Sequence, residues 1–282
     1  MIAGRSYRYV ILGVVILALF ITLFPIYWMV LTSFKPRVEL FKLPPDWIPE
    51  TPTLKNYYDV LLSVKAERLN FITYFKNSVV VCSAVVALTL ILAIPAAYSF
   101  SRFRFGGRRT VLNLVLVSQM LPIVMLLIPF YVTFRKLGLL NTYVSVIVPY
   151  LVFTLPFSMW MLKGYFDAIP TELEDAAMVD GCTKLQAMSK VVLPNISPGV
   201  IATSIVAFMM AWDEFIIALT LLARDEMRTL PPGIVLSFVG EFEIRWGPMM
   251  AASVIVSLPV MLIFAFLHKH LIAGLTAGAV KG

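Results

Sequence analysis

The sequence predicts an all-α, polytopic membrane protein with six spanning helices and one folded polar loop, and three observations lead there. Hydrophobic residues make up 60% of the 282 positions and charged residues only 14%, where soluble chains carry about 25% charged residues. The apolar residues fall into six runs free of Asp, Glu, Lys and Arg, at 9–34, 77–101, 110–134, 137–162, 191–212 and 246–268. Each approaches or exceeds the roughly 20 residues that cross a hydrocarbon core. After the fourth run, and overlapping the start of the fifth, lies the one long polar interruption of the second half that is patterned like folded structure, Asp167 to Pro198.

The first run follows Arg5 and Arg8. It is too long for a secretory signal and no small-residue cleavage site follows, so it reads as a retained first helix. The segment 35–76 contains Pro36, Pro44, Pro45, Pro49 and Pro52, which predict an irregular first half. The turn 102–109 carries Arg102, Arg104, Arg108 and Arg109 with no acid. Acid-free basic clusters mark the cytoplasmic side, and an even number of spans then places both termini and the loop after the fourth span inside. The basic residues total eleven on the proposed inner side and twelve outside, so the two clusters carry the orientation. Prolines at 25, 95, 122, 129, 149, 156 and 259 fall within runs, where kinks are expected and neighbours re-satisfy the freed carbonyls.

The net charge of +7 is what basic residues beside spans produce, so no nucleic-acid partner is implied. Cys82 and Cys182 stand a hundred positions apart, and His268 and His270 point to different helix faces. Neither pair suggests a metal site.

In the polar stretch, Thr171 with Glu174 reads as a capping box, and Leu173, Ala176 and Ala177 recur at helical spacing. Gly181 falls where a helix end takes a left-handed residue. Thr183 and Gln186 make a second capping box before Leu185, Met188 and Val192, and Pro194 ends that helix, with the fifth span proper starting after it. The expectation is helix, glycine turn, helix, both too short to span. Asp175-Ala176-Ala177, Gly181, Val191 and Leu193-Pro194 resemble the EAA loop of ABC importer permeases, with Asp175 where that family usually has Glu. The resemblance implies a cytoplasmic coupling loop, 163–194, whose Glu174, Asp175, Ala176, Ala177, Gly181, Leu193 and Pro194 engage an ATPase subunit.

Asp213 and Glu214 close the fifth run. Eighteen residues above Asn195, at 1.5 Å rise, Asp213 sits about 27 Å up, near the far edge of a ~30 Å core. Trp212, Asp213 and Glu214 are candidates for a pathway or gate, or for interfacial and packing roles. The text Ala211-Trp212-Asp213-Glu214-Phe215 resembles the fifth-helix signature of carbohydrate-type ABC permeases, and the tail 273–282, with Gly274, Gly278 and Lys281, resembles the end of maltose-type permeases. Apart from that resemblance a glycine-rich end reads as a flexible tail; the resemblance makes it a candidate ATPase contact.

No G-x-x-x-x-G-K-[ST] phosphate loop is present, so no ATP is expected on this chain. The resemblance implies one transmembrane permease domain, 1–282, in the inner membrane, performing no covalent chemistry. It implies a second homologous permease, an ATPase dimer carrying ATP and Mg, an extracytoplasmic binding protein, and membrane lipid as partners. The cargo class it implies is a sugar, moved by alternating access. A polyol, glycerol phosphate or peptide importer is the alternative, or, from another class, an ATPase-independent secondary carrier.

Overall fold

Apolar length decides the backbone layout. In the computed structural model, which describes residues 5–62, 71–240 and 243–279, four helices are long and apolar enough to cross a membrane. They include α1 (Arg5–Ser33) and α2 (Phe71–Arg102). The third run is not one helix. It breaks into α3 (Arg108–Ser118) and α4 (Ile123–Lys136), bent by 91°. Pro122, expected within a kinked span, sits in the break and precedes the first turn of α4 with extended backbone.

The fourth span is α5 (Tyr143–Ala168), containing Pro149 and Pro156. The coupling stretch follows as α6 (Glu172–Val179) and α7, helical over Lys184–Asn195, then α8 (Ser197–Trp212), bent by 77° from α7. The chain finishes through α9 (Ile216–Leu221), α10 (Leu230–Phe238) and α11 (Trp246–Ala279). Counting each bent pair as one span gives the expected six. The last helix runs past 268 to Ala279, so Gly274 and Gly278 of the tail lie in helix where a flexible end was expected.

The chain forms two compact units, one of Met1–Phe71 with Ile234–Pro259, the other of Ile72–Gly233 with Val260–Gly282. In the first, the proline-rich loop lacks long helices but is closely bonded. Lys35 is buried and donates to the Asp46 carbonyl at 2.5 Å. Asn56 donates to the Ser33 and Lys35 carbonyls, both at 2.9 Å, which ties the short helix Lys55–Leu62 back to the end of α1. Glu39 accepts from the Thr51 hydroxyl at 2.5 Å and from the Glu50 and Thr51 amides. These bonds hold its carboxyl below the usual range, the Thr51 hydroxyl being the largest cause.

The second unit packs α8 against α5 through small residues. Gly199, Ala202, Ala207 and Ala211 are buried along one side of α8. A Cβ at Gly199 would overlap the Tyr165 ring. Close backbone approach of this kind supplies van der Waals contact where lipid removes the hydrophobic driving force. Thr89 and Thr154 hydroxyls share a buried hydrogen bond of 2.8 Å between α2 and α5. The loop after α9 is pinned to α2. Asn77 donates to the Glu226 and Arg228 carbonyls, and Ser78 accepts from Leu230 N–H at 2.8 Å.

Candidate functional site: the coupling stretch

A helix that ends at a proline leaves its last carbonyls open, and here an arginine takes one of them. Ile169, before Pro170, turns extended and closes α5. Its carbonyl accepts from Arg102 Nη2 at 2.9 Å. Arg102 is the last residue of α2, and its Nε donates to Glu174 Oε1 of α6. Tyr98, one turn earlier, donates to Glu174 Oε2 at 2.7 Å. The Arg102 and Glu174 side chains are only 6% and 5% exposed. A buried pair of this kind is costly to break singly, because the survivor is an unpaired charge.

Glu174 is therefore under α6, with its carboxylate turned to α2. The capping box expected at Thr171 is not formed. Thr171 has helical angles, φ −66° and ψ −26°, and its hydroxyl makes no cap bond. A cap residue needs extended backbone to aim its oxygen at the helix amides. Thr183 has that backbone (ψ 159°), and the second capping box is formed in full. Thr183 N–H donates to Gln186 Oε1 at 2.8 Å, and Gln186 N–H donates to Thr183 Oγ1 at 3.3 Å.

Gly181 has φ +90°, the left-handed conformation its position required. Cys182 N–H reaches the Ala177 carbonyl at 3.0 Å and Gly181 N–H the Met178 carbonyl at 3.1 Å, the two bonds of a Schellman turn. After Ala187 the ladder of α7 slips to i→i−5 over Met188–Val192, with Leu193 N–H donating to the Met188 carbonyl. Pro194, which has no N–H to give, follows without ending the helix. The break comes two residues later, at Ile196.

Beneath these helices, Val192 and Ile196 join Ala93, Ala97 and Tyr98 of α2 and Met159, Leu162 and Phe166 of α5 in one buried cluster. Lys184 lies 4.3 Å over the Phe103 ring, which meets Tyr98 edge-on. The outer face is different. Leu173, Met178, Val179 and Leu185 are exposed, Val179 by 87%, together with Asp175 and Ala176. The apolar spacing of Leu173 and Ala176 suggested a packed face, but within this chain only Ala177 and Glu174 of α6 are buried. Gly181 and Pro194 are exposed and Leu193 half-buried. Sequence reasoning missed Tyr98, Phe103 and Lys184, and saw Arg102 only as one of four basic residues in a turn.

Away from this stretch, Trp212 is 2% exposed, stacked on Phe208 at 5.1 Å and edge-on to Phe75. It packs inside the second unit and does not anchor an interface. Glu214 fills the break between α8 and α9, accepting from Ile217 N–H at 2.8 Å, Ala218 N–H at 3.0 Å and Tyr150 Oη at 2.8 Å. Asp213 is exposed beside it. Gly274 and Gly278 lie in the backbone of α11, while Lys281 falls outside the described residues.

Spanning helices, one of them broken at a proline, and a folded helix–turn–helix held under the last turn of α2 define a helical membrane component of the transporter class. The model of the family "Binding-protein-dependent transport system inner membrane component" matches residues 71–276, and the chain belongs to that family. It is 37% identical to the sulfoquinovosyl glycerol transport system permease protein SmoH of Agrobacterium fabrum, over 99% of this chain and 95% of that one. It is 37% identical to the diacetylchitobiose uptake system permease protein DasC of Streptomyces coelicolor, over 96% of each. With the trehalose/maltose transport system permease protein MalG of Thermococcus litoralis it shares 36% identity over 96% of each chain. The crystal structure of a bacterial ABC transporter involved in the import of the acidic polysaccharide alginate has the same fold, with TM-score 0.80 at 23% identity over 95% of this chain and 99% of that chain.

Proposed function

We propose that this chain is the permease subunit of an ABC importer for a sugar, driven by ATPase subunits that seat on the α6–α7 face. One observation carries the reading. The exposed side of α6 presents Leu173, Met178 and Val179 beside Asp175, while its other side is locked to α2 and α5 by the Arg102–Glu174–Tyr98 group. An apolar patch with a flanking charge on a rigid mount is what a docking surface needs. Force applied there reaches the spanning helices through a buried ion pair instead of being absorbed by a loose loop.

On this reading Glu174 and the buried Ala177 face inward as the mount, and Asp175, Ala176 and Gly181 form the docking edge, with Leu193 and Pro194 setting the exit toward α8. The termini and 163–194 face the cytoplasm. ATP and Mg are bound by the partner ATPases, a second permease completes the pathway, and an extracytoplasmic binding protein delivers the cargo. The chain acts as one permease domain through alternating access, and the tail residues Gly274, Gly278 and Lys281 lie on the ATPase side. Sugar is the cargo class because the three relatives above are named for sugar-containing solutes.

The test is co-purification and uptake with Asp175→Lys in the complete assembly. A lost charge-assisted contact of roughly 1.5–3 kcal/mol weakens docking by roughly 10- to 100-fold, so ATPase subunits and uptake should both be lost while membrane insertion persists. Asp175→Glu should behave as wild type. Orientation is read separately. Leu54→Cys, at an exposed position, should react with an impermeant thiol reagent in intact cells, and Cys182 should not. Wild-type uptake in Asp175→Lys would remove the docking role.

A further inference from the structure

A cavity of about 230 Å³ in the second unit lies where two helix breaks meet one continuous span. Gln119 comes from the break between α3 and α4, Glu214 from the break between α8 and α9, and Tyr150, Phe153 and Thr154 from α5, with Met210 beneath. Tyr150 is seven residues into α5, so about 10 Å along it from the Tyr143 end. Unwound backbone at membrane depth is tolerated where it lines a cavity, and in secondary transporters discontinuous helices form the cargo site. Resting on the importer reading above, we propose that this cavity contacts the cargo in transit and selects a neutral, hydroxyl-rich sugar over an anionic one.

The polar inventory supports that class. Glu214 takes three donors, the role of an ionised carboxylate, and it carries the one charge among the lining side chains. No described lining residue is a cation, so an acidic sugar would meet an unbalanced negative site in a medium of low dielectric. Tyr150 Oη spends its proton on Glu214, which leaves the oxygen free to accept from a sugar hydroxyl. The Gln119 side chain is exposed, has no partner among the described residues, and offers both a donor and an acceptor. The Phe153 ring and Met210 supply an apolar wall for the CH face of a pyranose.

The experiment uses the complete assembly with its ATPases and binding protein in vesicles. It measures ATP-dependent uptake of trehalose, maltose, diacetylchitobiose and sulfoquinovosyl glycerol. Wild type should import one or more of the first three and not the fourth, which is anionic. Gln119→Ala, a change at an exposed side chain that leaves packing intact, should cut that uptake about tenfold, the loss of one cargo hydrogen bond, with ATPase co-purification unchanged. Glu214→Gln should relax the discrimination against sulfoquinovosyl glycerol. Import of sulfoquinovosyl glycerol, alone or beside the others, or import of none of the four, overturns the proposal, as does wild-type uptake in Gln119→Ala. Loss of ATPase co-purification in the wild type would sink the importer reading instead, so the two failures are told apart.

Discussion

Two polar excursions leave the spanning helices, 35–62 and 171–195, and each is organised by one buried glutamate. Among the described residues, Glu39 accepts only from its own loop, from Glu50 and Thr51 eleven and twelve residues on. Glu174 reaches across 72 residues to a cation on a spanning helix. The first carboxylate folds a loop onto itself. The second welds a loop to the membrane bundle and leaves the loop's apolar side uncovered. What a buried carboxylate does is set by where its donors come from, and only the second arrangement can carry a push from one element to another.

The largest expected effect tests that weld. Glu174→Ala leaves Arg102 buried and unpaired, which costs about 3–5 kcal/mol. It should abolish ATPase co-purification and expose 171–195 to protease. Replacing both partners, Arg102→Met with Glu174→Met, should restore protease resistance, because no lone charge remains. If the single variant behaves as wild type, the weld carries no load. Gly181→Val comes next. At φ +90° a β-branched residue is strained by about 1–3 kcal/mol, so coupled ATP hydrolysis should fall while Gly181→Asn keeps most of it. Below that, Thr183→Ala should cost about 1 kcal/mol of α7 stability, visible as faster amide exchange at Gln186. Thr171→Ala, whose hydroxyl caps nothing, should leave exchange in α6 unchanged.

The smallest effect belongs to the 35–62 loop. Glu39 has a carboxyl below its usual value, so its contribution is fully present above the ordinary carboxylate range and fades as pH falls through its lowered value. Protection of the Glu50 and Thr51 amides, relative to their intrinsic exchange rates, should therefore stay high at neutral pH and fall only on the acid side. In Glu39→Gln that acid step should vanish, while 171–195 is unaffected.

The sequence by itself determined the membrane class, the six apolar runs, the glycine turn at 181 and the cap at Thr183. Composition, run length and local backbone chemistry act within a few residues, and they are written where they act. The cap at Thr171 failed because the same hydroxyl-and-acid spacing is available to a competitor that lies far off in sequence. Tyr98 and Arg102 bond Glu174 in a buried site, and the local pattern holds no trace of them. The break at 119–122 is similar. Pro122 announces a disturbance, but the 91° turn itself is seen only in the fold, where residues 119–122 stay exposed within this chain. Tertiary structure alone decided which of four arginines faces inward, that Trp212 is packed and not interfacial, and that Glu214 caps a helix at the edge of a cavity. Those outcomes depend on which donors, rings and gaps meet across the fold, a matter of geometry between residues that the linear order keeps apart.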